Sequence, residues 1–298
     1  MLWYKKEILL ARFKNEKNIP LLVRGMEDSQ RVQEEGSRIS LTNIIASFLP
    51  AGELKNRLKV GLNLNRRFER FWEEVEQRIP GLDKSYVREA WDFAERGYRG
   101  VYRQNGAPFL EHAERTAIYY LDILNEYLST NENRNSRGLK PEVGLRAALG
   151  HDLLEKNPKI TPELIESELG IEERIMIEGM SVRDEEVKRW GDTPNGIYER
   201  CREKFGRAKE NSKYVLDIML IKIADRRHNM ETLDAKSPGD AQRIAADTIW
   251  HYVREAFSLR LGETAEKLID LSSRYIRPSS TLMRGFCEYE GDKVYEKS

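Results

Sequence analysis

Helical periodicity runs through most of this 298-residue chain and predicts an all-α fold. Three observations carry that expectation. Apolar residues recur at helical spacing from Asn65 onward, breakers such as Pro80-Gly81 fall between the periodic stretches, and β-type alternation is sparse beyond Asn65. The first stretches are Arg66–Arg78, with Phe68, Trp72 and Val75 near one face, and Ser85–Tyr98, with Tyr86, Trp91 and Ala94. Further helices are expected at about 111–128, 142–156, 161–169, 171–183, 195–209, 212–234 and 238–275. Thr161-Pro162-Glu163 reads as a helix start, threonine as cap and proline in the first turn. Ser237-Pro238-Gly239-Asp240 punctuates the last two long helices in the same way. The tryptophans at 72, 91, 190 and 250 read as helix-contact residues, and the basic face around Arg183–Arg189 as solvated surface.

Residues 1–64 differ in character. They mix an apolar run (Leu21-Leu22-Val23), a polar stretch (Glu27–Ser37) and an amphipathic piece (Ile39–Leu49), and are read as an N-terminal extension packing on the helical body with a short strand or two. Residues 65–276 form that body. Residues 277–298, opening on Pro278-Ser279-Ser280, read as a tail that docks on another surface, a second copy of the chain being one candidate. Ser129–Glu142 is polar, asparagine-rich and broken by glycine and proline, hence a surface loop.

Composition narrows the class. Fifty basic and fifty acidic side chains cancel, so no global field draws in nucleic acid or an anionic membrane. No run approaches the ~20 apolar residues of a membrane helix, and the N-terminus interleaves apolar and basic residues unlike a signal peptide. Cys201 and Cys287 suggest neither a disulfide framework nor a zinc motif. A soluble cytoplasmic protein is expected.

The chemistry centres on His151-Asp152, inside Leu145–Asn157, a segment with the apolar spacing of a buried helix. The adjacent pair offers two divalent-metal ligands, and burying it without a metal or partner would be costly. His112 upstream and Asp225 downstream are further candidates. Histidine is scarce, four in the whole chain, yet His112, His151 and His228 all fall in these stretches. His151 and Glu155 are four apart, as are Asp152 and Lys156, and Asp225 and Asn229, so each pair shares a helix face. Two histidines and two aspartates suit manganese, iron or zinc with positions open for water and a phosphate oxygen. Glu155 is placed to act as general base. Arg103 can clamp a phosphate, with Asn105-Gly106 supplying a tight turn before His112. His228 reads as a residue behind the ligands, and His251 as structural.

Three ordered blocks, residues 90–117 (AWDFAERGYRGVYRQNGAPFLEHAERTA), 149–157 (LGHDLLEKN) and 221–233 (IKIADRRHNMETL), closely resemble the HD hydrolase domain of RelA/SpoT-type alarmone enzymes. The resemblance runs from about Tyr86 to Leu233, and its last block is the most specific. It implies an all-α HD-domain helical bundle holding one manganese ion and removing the 3′-pyrophosphate of ppGpp and pppGpp. It also implies metal ligation by His112, His151, Asp152 and Asp225, a basic contact from Arg103, and nucleotide contacts from Asn229 and Thr232. Glu155 matches the first residue of the family's catalytic Glu-Asp pair. The second is replaced by Lys156, which can bind a phosphate oxygen or pair with a carboxylate. Gln104, beside Asn105 on the substrate side, stands where the family often has lysine. Residues 238–298 are too few for the family's synthetase domain, so the chain resembles a hydrolase-only small alarmone hydrolase.

Two other readings stay open. An altered rim redirects the site to another phosphorylated nucleotide, such as a nicotinamide dinucleotide phosphate or a nucleoside monophosphate. Alternatively, Lys156 marks a degenerate sensor that binds a nucleotide without cleaving it.

Overall fold

The computed structural model describes residues 51–129, 139–181, 193–205 and 209–276. Residues 1–50 of the expected extension, most of the 129–142 loop, the 183–189 face, Trp190, Cys287 and the 277–298 tail lie outside the described residues. Among the described residues the chain is all-α, with an isolated β-bridge between Tyr102 and Pro108.

Helix α1 (Ala51–Arg78) begins before the expected Arg66 and runs unbroken through the 64/65 boundary. Leu54, Leu58 and Leu62 recur four apart, so the helical pattern already starts within the segment read as an N-terminal extension. The chain divides into two units within this helix, between Glu69 and Arg70. Helix α2 (Lys84–Gly97) follows the Pro80-Gly81 break, where Gly81 takes φ +86°, and is capped by Asp83, whose carboxylate accepts from Ser85 N and Tyr86 N. Helix α3 (Phe109–Ser129) buries Ala113, Ala117, Tyr120, Leu121 and Leu124.

The segment expected as one helix over 142–156 is two. Helix α4 (Pro141–Leu149) stops at Gly150, and α5 (Leu153–Lys156) is a single turn, so His151 and Asp152 sit in the bend rather than on a helix face. The cause is close packing at a weak helix former: a Cβ on Gly150 would lie 2.7 Å from Ile177 Cδ1. Gly97 answers on the other side, where a Cβ would meet Leu153 Cδ2 at 2.3 Å.

Helices α6 (Pro162–Glu168) and α7 (Ile171–Met180) follow, with Thr161 Oγ1 accepting from Leu164 N at 3.3 Å as the sequence predicts. Helix α8 (Pro194–Phe205) leads to α9 (Lys209–Glu231), the centre of the bundle. Ile218 to Ile221 are all buried, as are Ile223 and Ala224, so α9 is covered on every side, with α3 and α7 packed against it. The α4 helix is tied in by buried Arg146, whose Nε donates to Glu173 Oε1 at 2.7 Å and whose Nη2 donates to the Leu169 carbonyl at 2.7 Å. Its guanidinium stacks on the Tyr86 ring, 3.4 Å from the centroid. One side chain thereby joins α2, α4 and α7 just behind the His151 bend.

The expected helix over 238–275 is also broken. Helix α10 (Pro238–Asp247), started by Ser237 as cap, passes into a π-helical stretch (Thr248–Val253), then α11 (Arg254–Ser258) and, after a reversal, α12 (Gly262–Ser273). The reversal is at Arg260, φ +61°, and Leu261 N closes it onto the Ala256 carbonyl at 2.8 Å. Folding back lets Leu268 and Leu271 bury against α9 and the π-helical stretch, which a straight helix could not do. No helix of the described residues is long and apolar enough to cross a membrane. Trp72 and Trp91 are buried as expected of contact residues, whereas Trp250 is 46% exposed.

Candidate metal centre

Three elements bring the candidate ligands together: the first turn of α3 carries His112, the Gly150 bend carries His151 and Asp152, and the last turns of α9 carry Asp225. His112, His151 and Asp225 are all buried, and their donor atoms lie within 4.8 Å of one another. His112 Nε2 is 3.1 Å from His151 Nε2 and 3.2 Å from Asp225 Oδ1, and His151 Nε2 is 3.8 Å from the same oxygen. Donors bound to one first-row ion at roughly 2.0–2.2 Å stand about 3–3.5 Å apart, so this trio has the spacing of a shared ion. Asp152 lies beside the trio, with Oδ1 3.6 Å from His151 Nε2. As residue before α5 its carboxylate makes no capping hydrogen bond, which leaves it available to the cleft.

The protonation states suit a cation. His151 Nδ1 donates to the Ala148 carbonyl at 2.8 Å, and a carbonyl can only accept, so neutral His151 presents an unprotonated Nε2. Burial lowers the His112 pKa against the opposing pull of Asp225, favouring the neutral ring. Burial would raise the Asp225 carboxyl, but Lys222, His112 and His151 together hold it well below the usual carboxylate range. Lys222 Nζ sits 3.3 Å from Asp225 Oδ2, while Asn229 Nδ2 donates to Oδ1 at 2.7 Å. The His151 lone pair and the Asp225 carboxylate, the latter already met by Lys222 and Asn229, converge in one buried place, a donor set whose chemistry fits a divalent cation.

Behind His112 stands His228, their Nδ1 atoms 2.6 Å apart and their rings near-parallel at 27°, centroids 4.9 Å apart, meeting edge to edge. Burial first, then competition with the adjacent His112 imidazole for a proton and the Arg103 charge, push the His228 pKa down to about 3, which favours the neutral ring. Tyr98 and Phe109 wall the centre: the Tyr98 hydroxyl accepts from Asp152 N at 3.2 Å, and Phe109 meets His112 edge-on at 5.1 Å.

The centre lies in a cleft of about 720 Å³, a size in the range of nucleotide and drug-like sites. Arg103, Gln104, Asn105, Asn229 and Thr232 all line it. Arg103 Nη2 donates to Asn229 Oδ1 at 2.9 Å and to Thr232 Oγ1 at 3.0 Å, so three of the expected substrate residues are joined to one another. Asn105 Oδ1 accepts from Ala107 N at 3.1 Å, and Gly106 takes φ +81°, which builds the tight turn that the sequence predicts. Glu155 and Lys156 are exposed at the cleft edge, and Lys156 Nζ hangs 5.4 Å above the Phe109 ring.

Lys222, Arg226, Lys236 and Arg243, which the sequence analysis did not single out, also line the cleft, Lys222 buried against Asp225 and Arg243 paired with Asp240 and with Asp247, itself a lining residue. Lys222 was legible, since it precedes Asp225 by three on the face that carries Asn229 and Thr232. His251, expected to be structural, is exposed and lines the cleft too, because the π-helical stretch resets the helix face.

No family model matches the chain. It is 28% identical over 212 residues to a GTP pyrophosphokinase of Myxococcus xanthus, covering 70% of this chain and 25% of that protein. It is 25% identical over 212 residues to the bifunctional (p)ppGpp synthase/hydrolase SpoT of Escherichia coli, covering 71% and 27%. A guanosine-3′,5′-bis(diphosphate) 3′-pyrophosphohydrolase of Haemophilus influenzae is 28% identical over 187 residues, covering 62% and 24%. The chain spans about a quarter of the length of these relatives.

Proposed function

By sequence this chain belongs with the RelA/SpoT (p)ppGpp synthetase/hydrolase proteins, and on that footing we propose that it is a metal-dependent 3′-pyrophosphohydrolase of (p)ppGpp-type nucleotides. The observation that supports hydrolysis is the convergence of His112 Nε2, His151 Nε2 and Asp225 Oδ1, with His112 and Asp225 lining a cleft that also carries Arg103, Lys156 and Arg226. Those three residues with Asp152 would hold the ion, manganese being the first to test. The chemistry such an ion supplies is Lewis-acid polarisation of a phosphoryl oxygen and activation of water at neutral pH.

The chain's own residues divide the remaining work. Arg103, already oriented by Asn229 and Thr232, presents its free N–H groups to the nucleotide, with Gln104 and Asn105 beside it. Lys222 and Lys156 offer charge to the diphosphate. Glu155 accepts the proton of the attacking water; the water oxygen forms a bond to phosphorus as the bond to the 3′-oxygen breaks. The 3′-oxygen leaves with the electron pair and takes up a proton from solvent to become the hydroxyl of GDP, and pyrophosphate is released. Residues 65–276 would constitute the HD-type catalytic domain, with 1–64 and 277–298 as appendages. A cytoplasmic location is part of this proposal.

The test is a manganese-supplemented panel with product identification: ppGpp, GTP with ATP, a nicotinamide dinucleotide phosphate and a nucleoside monophosphate. GDP and pyrophosphate from ppGpp, lost together with bound metal in His151→Ala and Asp152→Ala, is the expected result. No bound metal in the unmodified protein, or unchanged turnover in Asp152→Ala, would sink the proposal. Pyrophosphoryl transfer to GTP would move the chain to the synthetase side of its relatives.

Lys156 supports a second reading. An ammonium at the cleft edge beside Glu155 cannot serve as a base while protonated, so the site would bind an alarmone as a sensor without cleaving it. Tight ppGpp binding without turnover selects this reading; rapid hydrolysis by the unmodified chain excludes it.

A further inference from the structure

The three converging donors are not equally provided for. His151 has its tautomer set by the backbone, because its Nδ1 can only donate to the Ala148 carbonyl. Asp225 is held by Lys222 on one oxygen and Asn229 on the other. Among the described residues, His112 Nδ1 meets an imidazole nitrogen and not a carbonyl or carboxylate. It faces the Nδ1 of His228 at 2.6 Å, inside a buried edge-to-edge pair of imidazoles. An imidazole nitrogen can donate or accept, so the partner is ambivalent where a carbonyl would not be.

We infer that His228 is a positioning residue for the metal centre: its Nδ1 accepts the His112 Nδ1 proton and so keeps His112 Nε2 free to ligate. The argument is one of proton count. Two protonated nitrogens cannot share a 2.6 Å separation, and two lone pairs there would repel, so one proton lies between the rings. If it belonged to His228, neutral His112 would carry its own proton on Nε2, pointing at His151 Nε2 and Asp225 Oδ1, and the ligand position would be blocked. Ligation therefore requires His112 protonated at Nδ1 and His228 protonated at Nε2. The two rings meet edge to edge through these nitrogens with an interplanar angle of 27°, which sets the plane in which His112 presents its lone pair. His228 thus acts through His112 and needs no contact with substrate.

This inference rests on the metal-centre reading, and the experiment separates the two. Full-length protein, labelled with 15N-histidine, is loaded with Zn2+, and its imidazole nitrogens are assigned; four histidines in the chain keep the spectrum simple. The expected pattern is His112 protonated at Nδ1 and bound through Nε2, with His228 protonated at Nε2. In parallel, Mn2+ and Zn2+ affinities are measured by chelator competition for the unmodified chain, His228→Phe and His228→Asn. Loss of the acceptor in His228→Phe is expected to weaken both ions 10- to 100-fold, the range typical of removing an outer-shell partner. His228→Asn places an amide oxygen where Nδ1 stood and is expected to bind within a few-fold of the unmodified chain.

If the unmodified protein binds neither ion, the metal-centre reading fails. If it binds and His228→Phe, folded by circular dichroism, binds equally well, the inference alone fails. Should His228→Phe not fold, the zinc-loaded spectrum still decides: His228 protonated at Nδ1 overturns the inference.

Discussion

Arg103 and Asn229 are 126 residues apart in sequence, yet the arginine Nη2 donates to the asparagine side-chain oxygen at 2.9 Å. The contact closes one wall of the cleft, because the loop before α3 is thereby latched onto the last turn of α9. The same Nη2 also reaches Thr232 Oγ1 at 3.0 Å, and the Asn229 amide donates to Asp225. A chain of hydrogen bonds thus runs from the candidate metal ligand to the candidate substrate arginine.

Arg103→Lys tests the latch. A lysine keeps the charge but lacks the planar fork, so it cannot hold Asn229 and Thr232 while facing a phosphate. We expect KM for ppGpp to rise roughly 10-fold, equivalent to about 1.4 kcal/mol, with bound metal unchanged. Steady-state kinetics paired with metal analysis checks this; an unaltered KM would remove Arg103 from the substrate wall.

Lys156→Asp tests the cleft edge. Replacing the ammonium with a carboxylate next to Glu155 provides a second acceptor for the proton of water. Turnover of ppGpp is expected to rise, by up to the order of 10² that general-base assistance contributes. If single-turnover rates fall instead, Lys156 is a phosphate-binding cation of an active enzyme.

Gly150→Ala probes the bend that carries His151 and Asp152. The φ of Gly150, −98°, is open to alanine, so the effect is packing: the new Cβ would lie 2.7 Å from Ile177 Cδ1. Overpacking of this kind costs about 1–3 kcal/mol, read by urea unfolding. Ile177→Val in the same chain should recover part of that loss, and a variant as stable as the parent would show that the bend is not packing-limited.

Asp217 provides a pH signature independent of the site. Buried and accepting the Tyr120 hydroxyl at 2.6 Å, its carboxyl is raised to about 6 by burial, against the hydrogen bond that lowers it. A folded pKa above the unfolded 3.8 means that the folded state holds the proton more tightly. The stabilisation is therefore full below the unfolded value and is lost as pH rises through about 6. The size is about 3 kcal/mol at 1.36 kcal/mol per unit. Asp217→Asn, which keeps an acceptor for Tyr120, should flatten this slope in denaturation curves at pH 5 and pH 8. A slope equal to that of the parent chain would assign the pH dependence elsewhere.

Much of the site was legible because its chemistry is concentrated in short blocks. Asp225, Asn229 and Thr232 share a helix face by spacing alone, and His151-Asp152 is conspicuous where histidine is rare. The bend at Gly150 was not legible: Leu145–Asn157 has unbroken apolar spacing, and the reason for the break is the Ile177 side chain on another helix. His251 was misplaced for a related reason, since a π-helical stretch shifts the face by a residue and leaves no mark in apolar periodicity. Lys222 was overlooked although its spacing placed it beside Asp225.

The sequence by itself determined the all-α class, most helix starts and the candidate ligands with part of the cleft lining around them. Capping, breakers and apolar period are local, and they act over a few residues. Only the tertiary structure decided which nitrogen of each histidine faces inward, because that depends on what lies against the other nitrogen. For His151 it is a carbonyl three residues away; for His112 it is an imidazole from α9, at a sequence separation of 116. Packing of α3 against α9 brings that imidazole into place, and no pattern within either helix specifies it.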